Sequence, residues 1–284
     1  MKPAPFKYYD PRTIDEALSL LDTLEDARVL AGGQSLMPML NMRVVQPSHV
    51  IDINRLPELS YIRLNGETLE IGAMTRQRDI ELSEVVRQAF PLLYEAVRHV
   101  GHRQTRNRGT LGGSLCQLDP SAELVSVAAA VEATVVVASK ALAREIPFAE
   151  FPLGLMTPAI EPNELVTAVR FPLWKPGHGF AFEEFARRHG DFALASAAAL
   201  MELEGGRITR ARVTVGGVFT QPQVLALALE GRQPSATLFE EAAEACSALE
   251  VMDDAHLSGD YRRRLARAMV RRAIEKAHGR IKKD

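Results

Sequence analysis

At 284 residues the chain can bury a sizeable core and is longer than most single compact domains, so two or three substructures sharing a core are expected. Hydrophobic residues make up 46% and charged residues 25%, with a formal net charge of −2; nothing in this balance calls for nucleic acid or a membrane. Two cysteines, Cys116 and Cys246, without CxxC spacing, argue against a disulfide framework, a structural zinc or an iron–sulfur cluster held by this chain alone.

The first residues, Met1 to Lys7, lack an apolar signal core. The most apolar stretch, 124–138, is interrupted by Ser126 and Glu132, so no membrane span is expected and a cytoplasmic location is. Thr13 and Glu16 have capping-box spacing, and Ile14, Ala17, Leu18 and Leu21 recur on one helical face, which predicts a first amphipathic helix. The β-prone run 28–30 leads into Ala31-Gly32-Gly33-Gln34-Ser35, residues 38–42 read as a short helix, and 50–53 as a second strand. This first α/β unit closes near Leu56-Pro57, giving an expected subdomain over residues 1–56.

Residues 69–73 predict a strand. Residues 79–100 have helical periodicity divided by Pro91, and a second glycine pair follows in Thr110-Leu111-Gly112-Gly113-Ser114. A helix over 122–131 and strands over 133–139 and 164–171 complete a second unit, residues 57–175. The breaker-rich run 173–179 marks the boundary to a third unit, residues 176–284. Strands are expected there over 180–185, 195–203 and 208–218, with Gly205-Gly206 turning the last hairpin, then helices over 239–249 and 261–276. On the final helix Tyr261, Leu265, Met269, Ala273 and Ala277 would face inward, leaving the arginines as a solvated face or a docking surface for an acidic partner.

Each glycine pair combines backbone free of side chain with hydroxyls, which lets successive N–H groups approach one anion. Read singly, either pair is satisfied by turn chemistry; together they suggest a diphosphate gripped from both sides. Neither loop matches GxxxxGK[ST] or GxGxxG in a parallel βαβ unit, and GxSxG, HExxH and paired catalytic carboxylates are also missing. His99 and His102 have no third ligand nearby, so no metal site is expected. Phosphate-holding loops without a visible acid, base or nucleophile fit a redox cofactor that brings its own chemistry, and no catalytic side chain is assigned.

The segments AGGQSLMPMLNMR, RNRGTLGGSLCQLDPSAEL, RRHGDFALAS and YRRRLARAMVRRAIEKA resemble, in order and spacing, the flavin-binding medium subunit of molybdenum hydroxylases. Aerobic carbon monoxide dehydrogenase and xanthine dehydrogenase belong to this family, and the resemblance runs from near residue 4 to near residue 280. It implies an α+β chain, with a two-part α/β FAD-binding domain of the PCMH-type flavin fold followed by a C-terminal domain of antiparallel sheet and helices. It implies noncovalent FAD, with Leu30, Ala31, Gly32, Gly33, Gln34, Ser35 and Leu36 wrapping the diphosphate and Thr110, Leu111, Gly112, Gly113 and Ser114 opposing them. Asp119 and Glu123 would approach flavin hydroxyls, Val166 would give an apolar contact, Gly101 would complete the set, and Phe192 would lie near the isoalloxazine ring or pack in the core. Some related flavin oxidases carry at the place of Gln34 a histidine bonded covalently to flavin, a bond glutamine cannot make; Glu123 replaces the aspartate of some relatives.

The resemblance also implies partners: a large subunit with the molybdenum cofactor and a small subunit with [2Fe–2S] clusters, assembled as a dimer of heterotrimers. The chain would collect electrons from those clusters and pass them to an external acceptor. The competing readings are a stand-alone flavin oxidase or dehydrogenase acting on a small molecule, and a nonenzymatic nucleotide-binding protein.

Overall fold

In the computed structural model, which describes residues 1–254 and 257–282, three larger sheets follow one another along the chain, with a two-stranded one beside the second. The first is parallel, with strand order β1-β3-β2, built from β1 (Lys7–Tyr9), β2 (Ala27–Leu30) and β3 (His49–Asp52). Helix α1 (Ile14–Thr23) starts where Thr13 Oγ1 accepts the Glu16 N–H at 3.1 Å; the Glu16 carboxylate reaches back to the Arg12 N–H at 2.8 Å, one residue before the cap. Its buried Ala17, Leu18 and Leu21 pack with Ile51 and Ile53 in a small core, each large side chain contributing roughly 1.5–3 kcal/mol. Helix α2 (Leu36–Asn41) follows the first glycine loop. Strand β1 is not signalled by the sequence, because three residues on a sheet edge carry too little pattern.

The second sheet is antiparallel, in the order β4-β5-β10-β6-β7. Its strands are β4 (Ile62–Asn65), β5 (Thr68–Gly72), β6 (Thr134–Ala138), β7 (Ala143–Pro147) and β10 (Leu165–Pro172); a small hairpin of β8 (Pro152–Gly154) and β9 (Thr157–Pro158) precedes β10. The helical stretch before the second loop has two breaks rather than the one expected. Ser83 ends α3 (Gln77–Leu82) and caps α4 (Glu84–Ala89) by accepting the Val86 N–H, and Pro91 opens α5 (Pro91–Val97). Then come α6 (Arg103–Arg108), α7 (Leu111–Gln117) and α8 (Glu123–Ala130).

The third sheet, β11 (Gly179–Phe185), β12 (Ala195–Glu204), β13 (Arg207–Gly216) and β14 (Gln223–Val224), is antiparallel in sequential order. Helix α8 lies on one face and α10 (Gly259–Gly279), which also packs on α9 (Ala236–Ala243), on the other. Buried on both faces, β12 is rich in alanine at 195, 197, 198 and 199, and such small side chains let helices approach from both sides. Phe182, Ala198 and Leu200 join the core of the second sheet, while Ala197, Ala199 and Met201 join the core under α9 and α10.

The stripe on α10 differs from the expected one. Its buried positions are Gly259, Arg262, Ala266, Met269, Val270, Ala273, Ile274 and Ala277, while Tyr261 and Leu265 are half-buried. Arg262 points inward because its guanidinium serves backbone carbonyls at the sheet end, Gly217 at 2.9 Å and Leu194 at 3.2 Å, and pairs with Asp254. Several other basic residues are neutralised within the chain: Arg267 by Glu240 and Glu244, Arg271 by Glu240 and Glu275, Lys276 by Glu95 and Glu183, and Arg280 by Glu95.

Candidate functional site

Because β2 and β3 are parallel, with Leu30 opposite Asp52, the chain leaves both strands at the same edge, where ligands of α/β sheets are bound. Loop 31–35 begins there. No hydrogen bond within the described residues uses the N–H groups of Gly32, Gly33, Gln34, Ser35 or Leu36, so consecutive donors remain available. Gly33 has φ +72°, a turn only glycine makes cheaply, and the Gln34 side chain folds back to donate to the Gly32 carbonyl at 3.3 Å. Unused amides in series form an anion-binding nest.

The second loop lies directly against the first. A Cβ on Gly32 would fall 2.2 Å from the Arg108 carbonyl oxygen, and one on Gly113 would meet Thr110 Oγ1 at 2.7 Å and Ala31 Cβ at 3.6 Å. Its amides, however, are committed to the chain. Leu111 donates to the Thr75 carbonyl at 3.1 Å, Gly112 to Ala73 at 2.8 Å, Gly113 to Thr110 Oγ1 at 3.1 Å and Ser114 to the Thr110 carbonyl at 3.1 Å. The two loops are thus chemically unequal: the first offers backbone donors, the second close backbone packing and the hydroxyls of Thr110 and Ser114.

A set of polar residues that the sequence reading missed ties the loops together. Asn54 Nδ2 donates to the Ala31 carbonyl at 2.8 Å, Arg76 Nη2 donates to Asn54 Oδ1 at 2.6 Å, and Arg76 Nη1 donates to the Arg108 carbonyl at 2.6 Å. The Arg76 backbone also bridges to Thr110, and the Gln77 N–H donates to the Gly109 carbonyl at 2.9 Å. Burial, then Arg108, lowers the Arg76 pKa from its ordinary value. The available signal was positional: Asp52 ends, and Asn54 follows, a strand parallel to the one that delivers the glycine loop.

The remaining expected residues gather at the joint with the C-terminal sheet. The turn before α8 is fixed by Ser121, whose N–H donates to Asp119 Oδ1 at 2.9 Å and whose hydroxyl donates to the Ala193 carbonyl at 3.0 Å; the Gly217 N–H donates to the Pro120 carbonyl at 2.8 Å. Gly101, with φ +46°, precedes His102, and Gly190, with φ +87°, packs so closely on that ring that a Cβ would lie 2.5 Å from it. Phe192 follows and is 67% exposed, which rules out its reading as a core residue. Val166 is buried in the central core, beside a register shift at Thr167 whose carbonyl accepts the Ala73 N–H. Burial raises the Asp119 pKa, and burial followed by the Glu184 charge pushes Glu123 up to about 8. Among the described residues no group of three or more His, Cys, Asp and Glu could hold a metal ion.

The nest of free amides, the closely packed glycine backbone and an exposed aromatic at the joint fit a ligand with a diphosphate and a flat ring. A flavin dinucleotide has both. Fold and site therefore define the class of flavin-binding oxidoreductase components. Residues 4–174 match the FAD binding domain in molybdopterin dehydrogenase, and residues 180–277 match the CO dehydrogenase flavoprotein C-terminal domain. The chain is 40% identical to the 6-hydroxypseudooxynicotine dehydrogenase complex subunit alpha of Paenarthrobacter nicotinovorans, covering 98% of this chain and 96% of the relative. It is 37% identical to the carbon monoxide dehydrogenase medium chain of Hydrogenophaga pseudoflava, covering 99% of both. A solved carbon monoxide dehydrogenase structure from that organism superposes with a TM-score of 0.96, and quinoline 2-oxidoreductase from Pseudomonas putida 86 with 0.94 at 36% identity, each covering 99% of this chain and 100% of the matched one. The chain belongs to the FAD-carrying medium subunits of the molybdenum hydroxylase family. No helix among the described residues is long and apolar enough to cross a membrane.

Proposed function

We propose that the protein is the electron-transfer station of a molybdenum hydroxylase complex, taking electrons from [2Fe–2S] clusters on a small subunit and passing them from FAD to an external acceptor. FAD supplies the redox chemistry when bound; the chain holds and orients it. The row of unpartnered amides from Gly32 to Leu36, set against the second glycine loop, carries this reading. On it, Leu30, Ala31, Gly32, Gly33, Gln34, Ser35 and Leu36 form the diphosphate side and Thr110, Leu111, Gly112, Gly113 and Ser114 the opposing wall. Asp119 and Glu123 approach the nucleotide hydroxyls, Gly101 and Phe192 stand at the ring end, and Val166 backs the site from the core. The division into residues 1–56, 57–175 and 176–284 belongs to the same proposal; the succession of three sheets supports it.

Two cysteines cannot ligate the clusters such a relay needs, and relatives named as a complex subunit and as a medium chain support assembly with other polypeptides. The partners are then a molybdenum-bearing large subunit, which chooses the substrate, and a [2Fe–2S] small subunit, in a cytoplasmic dimer of heterotrimers. Gly33→Val and Gly113→Val are expected to abolish flavin retention, read as the flavin-to-protein absorbance ratio, while far-UV circular dichroism stays near wild type. Normal occupancy in both variants would sink the loop assignment. Gentle purification from the native source, with assays of FAD, molybdenum, iron and co-purifying chains, tests the complex; a chain recovered alone with its own turnover refutes it.

A further inference from the structure

A basic surface left without neutralising partners crosses the joint between the flavin-binding half and the C-terminal sheet. One side of it is α6. There Arg106 is buried and bound to Glu81 at 2.8 Å, while Arg103 and Arg108 stand exposed at the two ends of the helix. The other side is the loop 186–194 between β11 and β12, where Arg187 and Arg188 are exposed. None of these exposed guanidinium groups has an ion pair or a hydrogen bond among the described residues. Residues 98–108 contain no acid and residues 185–192 only Asp191, in a chain whose net charge is −2, so the positive field is local.

The two sides are locked together. Gly190, with φ +87°, turns the loop against His102, whose ring a Cβ there would meet at 2.5 Å, and the His102 and His189 rings stand edge to face with centroids 6.2 Å apart. The loop is closed at its base, where the Leu194 N–H donates to the Phe185 carbonyl at 2.8 Å, and turned tightly within, where the Asp191 N–H donates to the Arg188 carbonyl at 3.1 Å. The Ala193 carbonyl accepts the Ser121 hydroxyl at 3.0 Å, which ties the loop to the flavin-binding half at a second point. Like charges on a fixed frame repel one another; the chain pairs Arg267, Arg271, Lys276 and Arg280 with glutamates and leaves these four unpaired. Exposed on the same loop are Phe192, at 67%, and Phe185, at 37%, and aromatic side chains among arginines are what protein interfaces are enriched in. Arg103 and Arg108 lie about 7.5 Å apart along the helix axis, and Arg187 and Arg188 carry the charge onto the neighbouring sheet. A small anion meets one or two such groups. An acidic protein face meets them all.

We propose that this surface docks an electron-accepting protein through an acidic patch on that partner, at the joint where Phe192 marks the ring end of the flavin site. Attraction between the two faces speeds encounter and orients the partner before short-range contacts form. That the occupant takes electrons rests on the FAD reading; the charged surface itself does not.

Cytochrome c, with a basic surface, and its succinylated derivative, whose lysines have been made acidic, test the docking as one-electron acceptors of opposite charge. The purified complex, reduced with dithionite and freed of the excess, is mixed with each at low ionic strength; each ferric haem takes up one electron and becomes ferrous, two haems for each electron pair released. The succinylated protein is expected to be reduced about tenfold faster or more, an advantage that shrinks as salt rises toward about 0.15 M. In Arg187→Glu/Arg188→Glu the preference should reverse, while Arg264→Glu/Arg272→Glu, the same charge change on the exposed side of α10, should leave it intact. Equal rates for the two cytochromes, or equal effects of the two double variants, overturn the proposal. So does a loop variant that slows reduction of ferricyanide, a small trianion, but not of succinylated cytochrome c, because the charges then serve a small acceptor. Binding without electron flow separates this surface from the FAD reading: surface plasmon resonance of succinylated cytochrome c on the oxidised complex should weaken with salt and in the loop variant, and binding indifferent to both refutes the surface. A complex purified without flavin refutes the FAD reading, while the resonance result still decides the surface.

Discussion

At the residue scale, the two glycine loops have separate jobs, and substitutions should separate them. Gly32→Ala places a methyl against the Arg108 backbone, which cannot rotate away as a flexible side chain would, so the loops must move apart. Gly113→Ala meets the Thr110 hydroxyl, which can turn but then gives up its bond to the Gly113 N–H. Isothermal titration with FAD is expected to show the larger loss for Gly32→Ala; equal losses would mean the loops grip alike. Arg76 acts through the loops, fastening Ala31 to Arg108 by way of Asn54. Hydrogen bonds to a charged group are worth roughly 1.5–3 kcal/mol, so Arg76→Gln should weaken FAD binding by about tenfold or more. In a double-mutant cycle with Asn54→Ala the losses should couple by about 1 kcal/mol rather than add. Strict additivity would show that the staple does not position the loops.

At the element scale, α10 shows what periodicity can and cannot tell. Its length and Met269, Ala273 and Ala277 were legible in the sequence, but the stripe runs through Arg262 and Ala266 instead of Tyr261 and Leu265. A hydropathy pattern assigns arginine to solvent; here the carbonyls of Leu194 and Gly217 at the sheet end need a donor, and only the folded chain reveals them. Arg262→Met should therefore cost about 2–3 kcal/mol in urea unfolding, despite filling similar volume, because it strands acceptors. Arg264→Ala, on the exposed side, should change stability by less than about 0.5 kcal/mol. Equal effects would return Arg262 to the solvated face. The glycine loops were legible for the opposite reason: their chemistry is local and written in consecutive residues. Asn54 and Arg76 were not, since each acquires meaning only from a partner 22 or more residues away.

At the scale of the whole molecule, the two matched family regions, 4–174 and 180–277, suggest separable modules, but the packing does not divide there. Phe182, Ala198 and Leu200 of the third sheet belong to the same core as Leu93, Val97 and Val127 of the preceding helices. Lys276 and Arg280 at the end of α10 hold Glu95 of α5, so the last helix of the chain is fastened to the flavin-binding half. A fragment ending at residue 176 would expose the apolar faces of α5 and α8, which lie against β11 and against β12 and β13. Exposed apolar area of that kind drives association rather than independent folding. Calorimetry of the intact chain is thus expected to show residues 57–282 melting in one cooperative transition, and the fragment 1–176 to aggregate or bind a hydrophobic dye. A fragment that stays monomeric, melts cooperatively and binds FAD with undiminished affinity would show that the C-terminal sheet is an appendage. The shared core predicts otherwise: the sheet holds the turn of Asp119 and Ser121 through the Ala193 carbonyl and the Gly217 N–H, and removing it frees the end of the site where Glu123 begins α8.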